Sequence, residues 1–155
     1  VLGTNGAAIA SGETASQPKG TDFGSLTIGC AQVTNVFSIT NSGNMNLAIS
    51  GVTTSGSALF NCGDLPAVVS PGASSNFAVA FNPAETGAHS ASFSIANDVP
   101  GASPYEVNVV ATVSKQQQAI NFPAIADQPV TSIVTLAATA SSGVRHSTCR
   151  STGTP

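Results

Sequence analysis

The sequence predicts an all-β fold: an antiparallel β-sandwich of seven to eight short strands, followed by a β-rich C-terminal extension. Several short segments alternate apolar and polar residues at a period of two, which is typical of strands with one buried face. Turn residues, chiefly glycine, proline, asparagine and aspartate, recur at intervals of about 8–12 residues, as they do in sandwiches. Up to Val113, no longer stretch has the apolar periodicity of a helix.

The clearest strand pattern runs from Ser75 to Val113 and predicts three consecutive strands. Their expected inward residues are Phe77, Val79 and Phe81, then Ala91, Phe93 and Ile95, then Tyr105, Val107, Val109 and Ala111. Residues 82–87 and 97–101 separate the strands, and each stretch carries a proline, a glycine and an asparagine. These residue types form turns with defined backbone angles, so the register of the three strands is well specified.

Weaker patterns predict the remaining strands. In chain order they are 7–10, which could be an edge strand, and then 21–29, 32–40, 45–53 and 67–69. Within 32–40, the residues expected to face the core are Val33, Phe37 and Ile39. Met45, Leu47 and Ile49 share one face of the next strand, and Leu59 and Phe60 are expected core contacts after it.

The composition excludes several classes of protein. Charged residues make up 7% of the chain, against roughly 25% in average soluble proteins. Because Lys and Arg together number 4, the chain lacks the clustered cations that bind nucleic acid or anionic membranes. No apolar run reaches the roughly 18 residues of a membrane-spanning helix. We therefore expect no nucleic-acid partner and no membrane insertion.

The start of the sequence bears on where the protein acts. The first residues contain neither an initiator Met nor the basic and apolar regions of a signal peptide. Two interpretations remain, an intracellular protein or a piece of a longer exported chain. The low charge, with 21 Ser and 16 Thr in the sequence, favours the exported chain.

A search for chemistry gives no catalytic, cofactor-binding or metal site. His89 and His146 are the two candidate general bases. His89 leads into a strand and is expected to be solvated or bonded to the backbone, and His146 lies in an irregular tail. The acidic residues Asp22, Asp64, Glu85 and Asp98 do not have calcium-loop spacing. Asn97 and Asp98 could contribute to a calcium site, but a local turn is favoured. Tyr105 is expected to pack at the start of a strand rather than to stack on a carbohydrate.

The cysteines Cys30, Cys62 and Cys149 fit no zinc-binding pattern. Cys30 and Cys62 could form a disulfide in an oxidising compartment, closing a loop whose cross-link is worth about 3–4 kcal/mol on the chain-entropy model. The alternative is that both are small apolar residues without a bond.

Three segments, residues 20–29, 36–56 and 69–112, occur in an order that resembles the choice-of-anchor D domain of bacterial surface and secreted proteins. That family is a branch of the Hydin-type immunoglobulin-like domains, and the resemblance covers Asn5 to Val113. It implies an immunoglobulin-like sandwich, found in tandem in long extracellular chains, without catalytic residues. Relatives often pair a cysteine near Cys62 with one in the strand after the turn at 71–74, where this chain has Ser75.

The C-terminal part resembles a different module. Residues 116–123 and 132–143 are similar to the opening strands of another bacterial immunoglobulin-like repeat, whose remainder is missing. We therefore predict an immunoglobulin-like domain at 1–113, a partial second repeat at 114–143, and an irregular tail at 144–155. Two strands cannot bury their own apolar face, so the partial repeat needs a partner.

These observations predict a non-catalytic structural or adhesive module, a spacer or stalk, in a secreted or cell-surface bacterial repeat protein. Its expected partners are neighbouring domains of the same chain or other copies of itself, and no specific ligand is predicted. One alternative is a self-assembling fibre subunit that donates residues 116–143 as a strand. A further alternative is an intracellular scaffold domain.

Overall fold

The computed structural model of the protein describes residues 1–121, together with the backbone of Thr139 and Ala140. Eight strands come first: β1 (Asp22–Thr27), β2 (Val33–Thr40), β3 (Leu47–Gly56), β4 (Phe60–Cys62), β5 (Val68–Val69), β6 (Ser74–Phe81), β7 (Gly87–Asn97) and β8 (Tyr105–Ser114). Two short strands, β9 (Ile120–Asn121) and β10 (Thr139–Ala140), pair antiparallel in a sheet of their own. Within the described residues there is no helix that could cross a membrane.

Two sheets form an immunoglobulin-like sandwich, which confirms the predicted fold class. The larger sheet has the order β1-β8-β7-β3-β5, and the smaller sheet has the order β2-β6-β4. The predicted run of three strands corresponds to β6, β7 and β8, of which β7 and β8 are antiparallel neighbours in the larger sheet. β6 lies in the smaller sheet, so the turn after Phe81 carries the chain from one sheet to the other.

The core lies between the two sheets and follows the alternation in the sequence. Its largest fully buried side chains include Phe37, Phe81 and Phe93. Phe81 is packed against Phe60, with ring centroids 4.5 Å apart, and Phe23 closes the cluster edge-on to Phe60 at 5.5 Å. Aromatic contacts of this kind stabilise beyond the area that they bury. The cluster joins β1 of the larger sheet to β4 and β6 of the smaller one.

The pairing of β1 differs from a purely antiparallel sandwich. β1 runs parallel to β8, with Leu26 beside Val113 and Thr27 beside Ser114. The chain leaves β1 and crosses directly to β2 in the other sheet, so β1 stays at the edge of the larger sheet without forming a hairpin. A register shift lies between Asp22 and Ser25, where Gly24 has φ of 75°.

The predicted edge strand at residues 7–10 is wrong. Leu2 forms isolated bridges to Ala8 and to Ser38 of β2, and Ile9 is buried in the core. The segment therefore attaches to the sandwich through the buried side chain of Ile9 and through its carbonyl, which accepts a bond from Tyr105, rather than through a strand. The predicted inward position of Met45 is also wrong: β3 begins at Leu47, and Met45 is 77% exposed in the preceding turn.

Candidate functional site

The predicted Cys30–Cys62 disulfide is absent, because Cys62 has a free thiol and Cys30, which is buried, is disulfide-bonded elsewhere. The strand register explains why the two do not meet. Cys62 pairs with Val79 of β6, whereas the chain beside Cys30 binds Pro83 through the N–H of Gly29, four residues further along. The two cysteines therefore have their backbone partners at different positions, Cys62 within β6 and the chain beside Cys30 after its end. Burial raises the pKa of the Cys62 thiol to about 11.

His89 lies at the start of β7 and serves to connect two loops. Its Nε2 lies 2.9 Å from the backbone oxygen of Glu85, and its Nδ1 lies 3.4 Å from the hydroxyl of Ser57. Its ring also packs against Phe81, with centroids 5.8 Å apart. The imidazole is thus bonded to the backbone, which is one of the two arrangements expected from the sequence. The Ser57 contact was not predicted, because the two residues are distant in sequence and no motif joins them. His146 lies outside the described residues.

The carboxylates do not assemble into a metal site. Within residues 1–121, no group of three His, Cys, Asp or Glu side chains could hold a metal ion. The oxygen Oδ1 of Asn97 accepts a bond from the Val99 N–H, and Oδ1 of Asp98 accepts one from the Ala48 N–H. The Asn97 bond is the local turn that was predicted, whereas the Asp98 bond joins the loop after β7 to β3.

One ion pair ties down the N-terminal segment. Lys19 Nζ lies 2.7 Å from Oε1 of Glu13, and this bond lowers the pKa of the carboxyl group. Tyr105 has a raised pKa, first because it is desolvated and then because Glu13 is negatively charged. The Tyr105 hydroxyl donates a hydrogen bond to the carbonyl of Ile9. Tyr105 thus packs at the start of β8, as predicted, and holds the first residues of the chain.

A concave surface lies at one end of the sandwich, which we call the upper end. It is formed by the loop before β3, residues 41–46, and the loop between β7 and β8, residues 98–104. Beneath these loops an apolar cavity of about 200 Å³ is lined mainly by Ile39, Leu47, Ile49, Ile95, Val99 and Tyr105. Among the described groups that line it, the phenol of Tyr105 is already bonded to the Ile9 carbonyl, and the amine of Val1 lies 3.5 Å from that phenol.

Asn41 organises the upper end. Its side-chain N–H groups donate to the carbonyls of Met45, at 2.7 Å, and Val69, at 2.8 Å. Its side-chain oxygen accepts a bond from the N–H of Gly43 at 2.9 Å. The residue is 8% exposed, so these are buried bonds that fix the loop against β5. The sequence predicted a turn at 41–44 but gave no signal that its first asparagine is buried.

Comparison with known proteins identifies the family. A family model described as "HYDIN/CFA65/VesB-like, Ig-like domain" matches residues 16–122, which is more than half of the chain. The chain therefore belongs to this family of immunoglobulin-like domains, whose members are generally non-catalytic. The match confirms the Hydin-type part of the resemblance. The choice-of-anchor D subtype, the C-terminal repeat and the domain boundaries stay predictions.

Several solved structures are similar to this chain at low identity. The secreted serine protease VesC from Vibrio cholerae shares 16% identity with a TM-score of 0.41, over 61% of this chain and 22% of the protease chain. The VesB protease of Vibrio cholerae shares 19% sequence identity with a TM-score of 0.40, and the match covers 60% of this chain and 29% of the protease chain. SSP-19, an MSP-domain protein like family member in Caenorhabditis elegans, shares 12% sequence identity with a TM-score of 0.39. That match covers 58% of this chain and 94% of SSP-19. The similarity thus covers less than a third of each protease chain. No curated protein matches the sequence.

Proposed function

We propose that this protein is a non-catalytic spacer module of a longer secreted or cell-surface chain, with neighbouring domains of that chain as its partners. The observation that carries the proposal is the placement of the two ends of the sandwich fold. The amine of Val1 lies 3.5 Å from the Tyr105 hydroxyl at the upper end, while β8 finishes at Ser114 at the opposite, lower end. Ten residues of β8 separate them, or about 30 Å at about 3.4 Å per residue.

The surface composition supports the exported context. Exposed positions on the strands include serine, threonine and asparagine, as at Ser90 of β7, Thr112 of β8 and Asn76 of β6. A neutral, hydroxyl-rich surface does not attract nucleic acid or anionic lipid, since both need clustered cations. Such a surface suits a module that separates functional parts without binding them.

The parallel pairing of β1 with β8 supports a role under tension. Tension applied through the two ends of the module pulls the start of β1 toward the upper end and the finish of β8 toward the lower end. Two parallel neighbours pulled in this way slide along each other, so their hydrogen bonds are loaded together rather than one after another. Among these bonds are Val110 N–H to the Thr21 carbonyl, 3.0 Å, and Ile28 N–H to the Ser114 carbonyl, 2.9 Å.

Small-angle X-ray scattering tests the spacer role. Residues 1–121 are compared as a single copy and as two copies joined in tandem, at several concentrations. We expect the second copy to lengthen the maximum dimension by about 30 Å or more, because each module runs from end to end. An increase of less than about half that value would mean that the copies fold back side by side, and it would contradict the spacer role.

A further inference from the structure

We propose that the apolar cavity at the upper end binds a small hydrocarbon group, and that this group is an apolar side chain of the segment joining a preceding domain to Val1. The inference deepens the proposed function and rests on it, because the neighbouring domain of the longer chain supplies the side chain. It depends on three observations: the apolar walls of the cavity, the polar atoms beside it, which already have partners, and the place where the chain enters the sandwich.

The first observation concerns the walls of the cavity. Ile39 of β2, Ile49 of β3 and Ile95 of β7 line it, and each is at most 8% exposed. Because β2 belongs to the smaller sheet and the other two strands to the larger one, the cavity lies between the sheets and continues the core. Its volume is about 200 Å³. An apolar cavity of about 150 Å³ takes benzene or xenon, so this one has room for an aromatic ring or a branched side chain.

The second observation is that the side-chain polar atoms beside the cavity already have partners. The amide of Asn97 bonds nearby backbone groups through both its oxygen and its nitrogen. The Thr40 hydroxyl shares a hydrogen bond with the Ser74 hydroxyl, and the Tyr105 hydroxyl donates to a backbone carbonyl. Desolvation also lowers the pKa of the Val1 amine, since these surroundings disfavour its charged form. A polar ligand would therefore gain little in exchange for the water that it loses, and the site favours a hydrocarbon.

The third observation is the path of the chain, which identifies the occupant. Val1 lines the cavity and packs against the core. Its carbonyl accepts a bond from the Ile9 N–H, 2.9 Å, and the next residue, Leu2, is bonded to Ser38 of β2. The chain is thus fixed where it enters, at the mouth of the cavity. Because successive Cα atoms are about 3.8 Å apart, the residues next before Val1 in the longer chain that the proposed function requires also lie at this mouth.

The mouth itself is flanked by exposed apolar side chains. Val99, which lines the cavity, is 43% exposed, and Met45 is 77% exposed beside the groove above it. A side chain that enters the cavity removes its own apolar surface and part of this surface from water, which is favourable in proportion to the area buried. The contact adds a second point of attachment beside the peptide link, so it restricts the angle between successive domains.

Benzene is the probe that tests the cavity, in the full chain of residues 1–155. Nuclear magnetic resonance follows the methyl groups of Ile39, Ile49 and Ile95 as benzene is added, and we expect their signals to shift saturably. Val99→Asp places a charge at the mouth and should weaken benzene binding by about fivefold or more. The matched control is Val68→Asp, because Val68 is 53% exposed on β5, lies outside the cavity lining and should leave benzene binding unchanged.

A two-residue extension before Val1 tests the occupant. Leu-Leu is added in one variant and Ser-Ser in the other, because successive side chains of an extended chain point to opposite sides and one leucine then faces the cavity. We expect the leucine extension to shift the three isoleucine methyl signals without benzene. It should also weaken benzene binding by about fivefold or more relative to the serine extension.

The outcomes separate the site from its occupant. Isoleucine methyl signals that do not respond to benzene in the unaltered chain would overturn the cavity as a binding site, as would a Val68→Asp effect equal to that of Val99→Asp. Equal benzene binding by the leucine and serine variants would overturn a side chain before Val1 as the occupant. The scattering test of the spacer role measures the length of a tandem pair and uses no benzene, so either proposal can fail alone.

Discussion

At the scale of single residues, Asn41 is the polar side chain on which the upper end of the sandwich depends. Asn41→Ala removes the bond to the buried carbonyl of Val69 and the part-buried bond to the carbonyl of Met45. A buried group left unpaired costs about 1–3 kcal/mol and a typical hydrogen bond contributes about 0.5–1.5 kcal/mol, so we expect the free energy of unfolding to fall by about 2–4 kcal/mol. Urea denaturation followed by fluorescence or circular dichroism measures this change.

Asn44→Ala is the matched control, because Asn44 is exposed in the same loop. Surface substitutions usually change stability by about 0.5 kcal/mol or less. If the two alanine variants were equally stable, the buried bonds of Asn41 would not be organising the loop.

The free thiol of Cys62 gives a prediction about pH. Its pKa is raised from 9.0 to about 11 by burial, so the thiolate fraction at pH 8 is about a hundredfold lower than for an ordinary thiol. We expect alkylation by iodoacetamide, measured as the difference between the unaltered chain and Cys62→Ser, to be slower in the folded state than in urea by about this factor. Folded and unfolded rates within threefold of each other would show that the thiol is not desolvated.

The same pKa shift determines the direction of a stability effect. The folded state holds the thiol proton more tightly than the unfolded state does. The contribution of this thiol to the free energy of unfolding therefore has its full value below about pH 8.5, the pKa of an exposed thiol. It is lost as the pH rises toward 11. Cys62→Ser should show a shallower decline in unfolding free energy over this window than the unaltered chain.

At the scale of elements, the close contact between β3 and β7 depends on Gly56. Its φ is 92°, and a Cβ there would lie 2.4 Å from the carbonyl oxygen of Ser90, which is backbone and cannot rotate away. A side chain in this conformation costs about 1–2 kcal/mol, and the forced contact costs about 1–3 kcal/mol more. We expect Gly56→Ala to lower the free energy of unfolding by about 2–5 kcal/mol in urea denaturation.

Gly72→Ala separates the two causes. Gly72 has φ of 72°, but a Cβ there would meet nothing within 4 Å. Only the backbone strain of about 1–2 kcal/mol is then expected. If Gly72→Ala lowered the free energy of unfolding as much as Gly56→Ala does, backbone strain alone would explain both losses. The close contact between β3 and β7 would then play no part.

Alternation predicted the strands well where one face is buried. β2, β6, β7 and β8 lie where the pattern placed them, because Phe37, Phe77 and Val107 can be buried only in that register. Alternation cannot reveal which strand pairs with which. The parallel neighbour of β1 and the bridge from Leu2 to Ser38 therefore had no signal in the sequence.

The candidate sites were harder to predict than the strands. The spacing of Cys30 and Cys62 in the sequence suggested a loop that a disulfide could close, but the register on β6 keeps them apart. The bond from the Val99 N–H to Asn97 was predictable, because asparagine bonds local N–H groups in turns. The bond from the Ala48 N–H to Asp98 was not, because the two residues are 50 positions apart in the sequence. The contact of Ser57 with His89 depends on how β3 and β7 pair, which only the fold reveals.

At the scale of the whole molecule, the proposed spacer is a module that is held at both ends and resists being pulled apart. The antiparallel pair of β7 and β8 gives an internal comparison, because Gly87 and Val113 are neighbours at the lower end. Handles at Gly87 and Ser114 pull these strands apart from one end, breaking their bonds in sequence. Handles at Val1 and Ser114 instead load β1 against β8 in shear.

Single-molecule force spectroscopy on the same module in these two pulling directions tests the central claim most directly. The account predicts an unfolding force at least twofold higher with handles at Val1 and Ser114 than with handles at Gly87 and Ser114. Ile28→Pro removes the N–H that bonds the Ser114 carbonyl, so it should lower the force in the first direction only. Equal forces in the two directions, or a lower force in the first, would contradict the role of a spacer that resists tension.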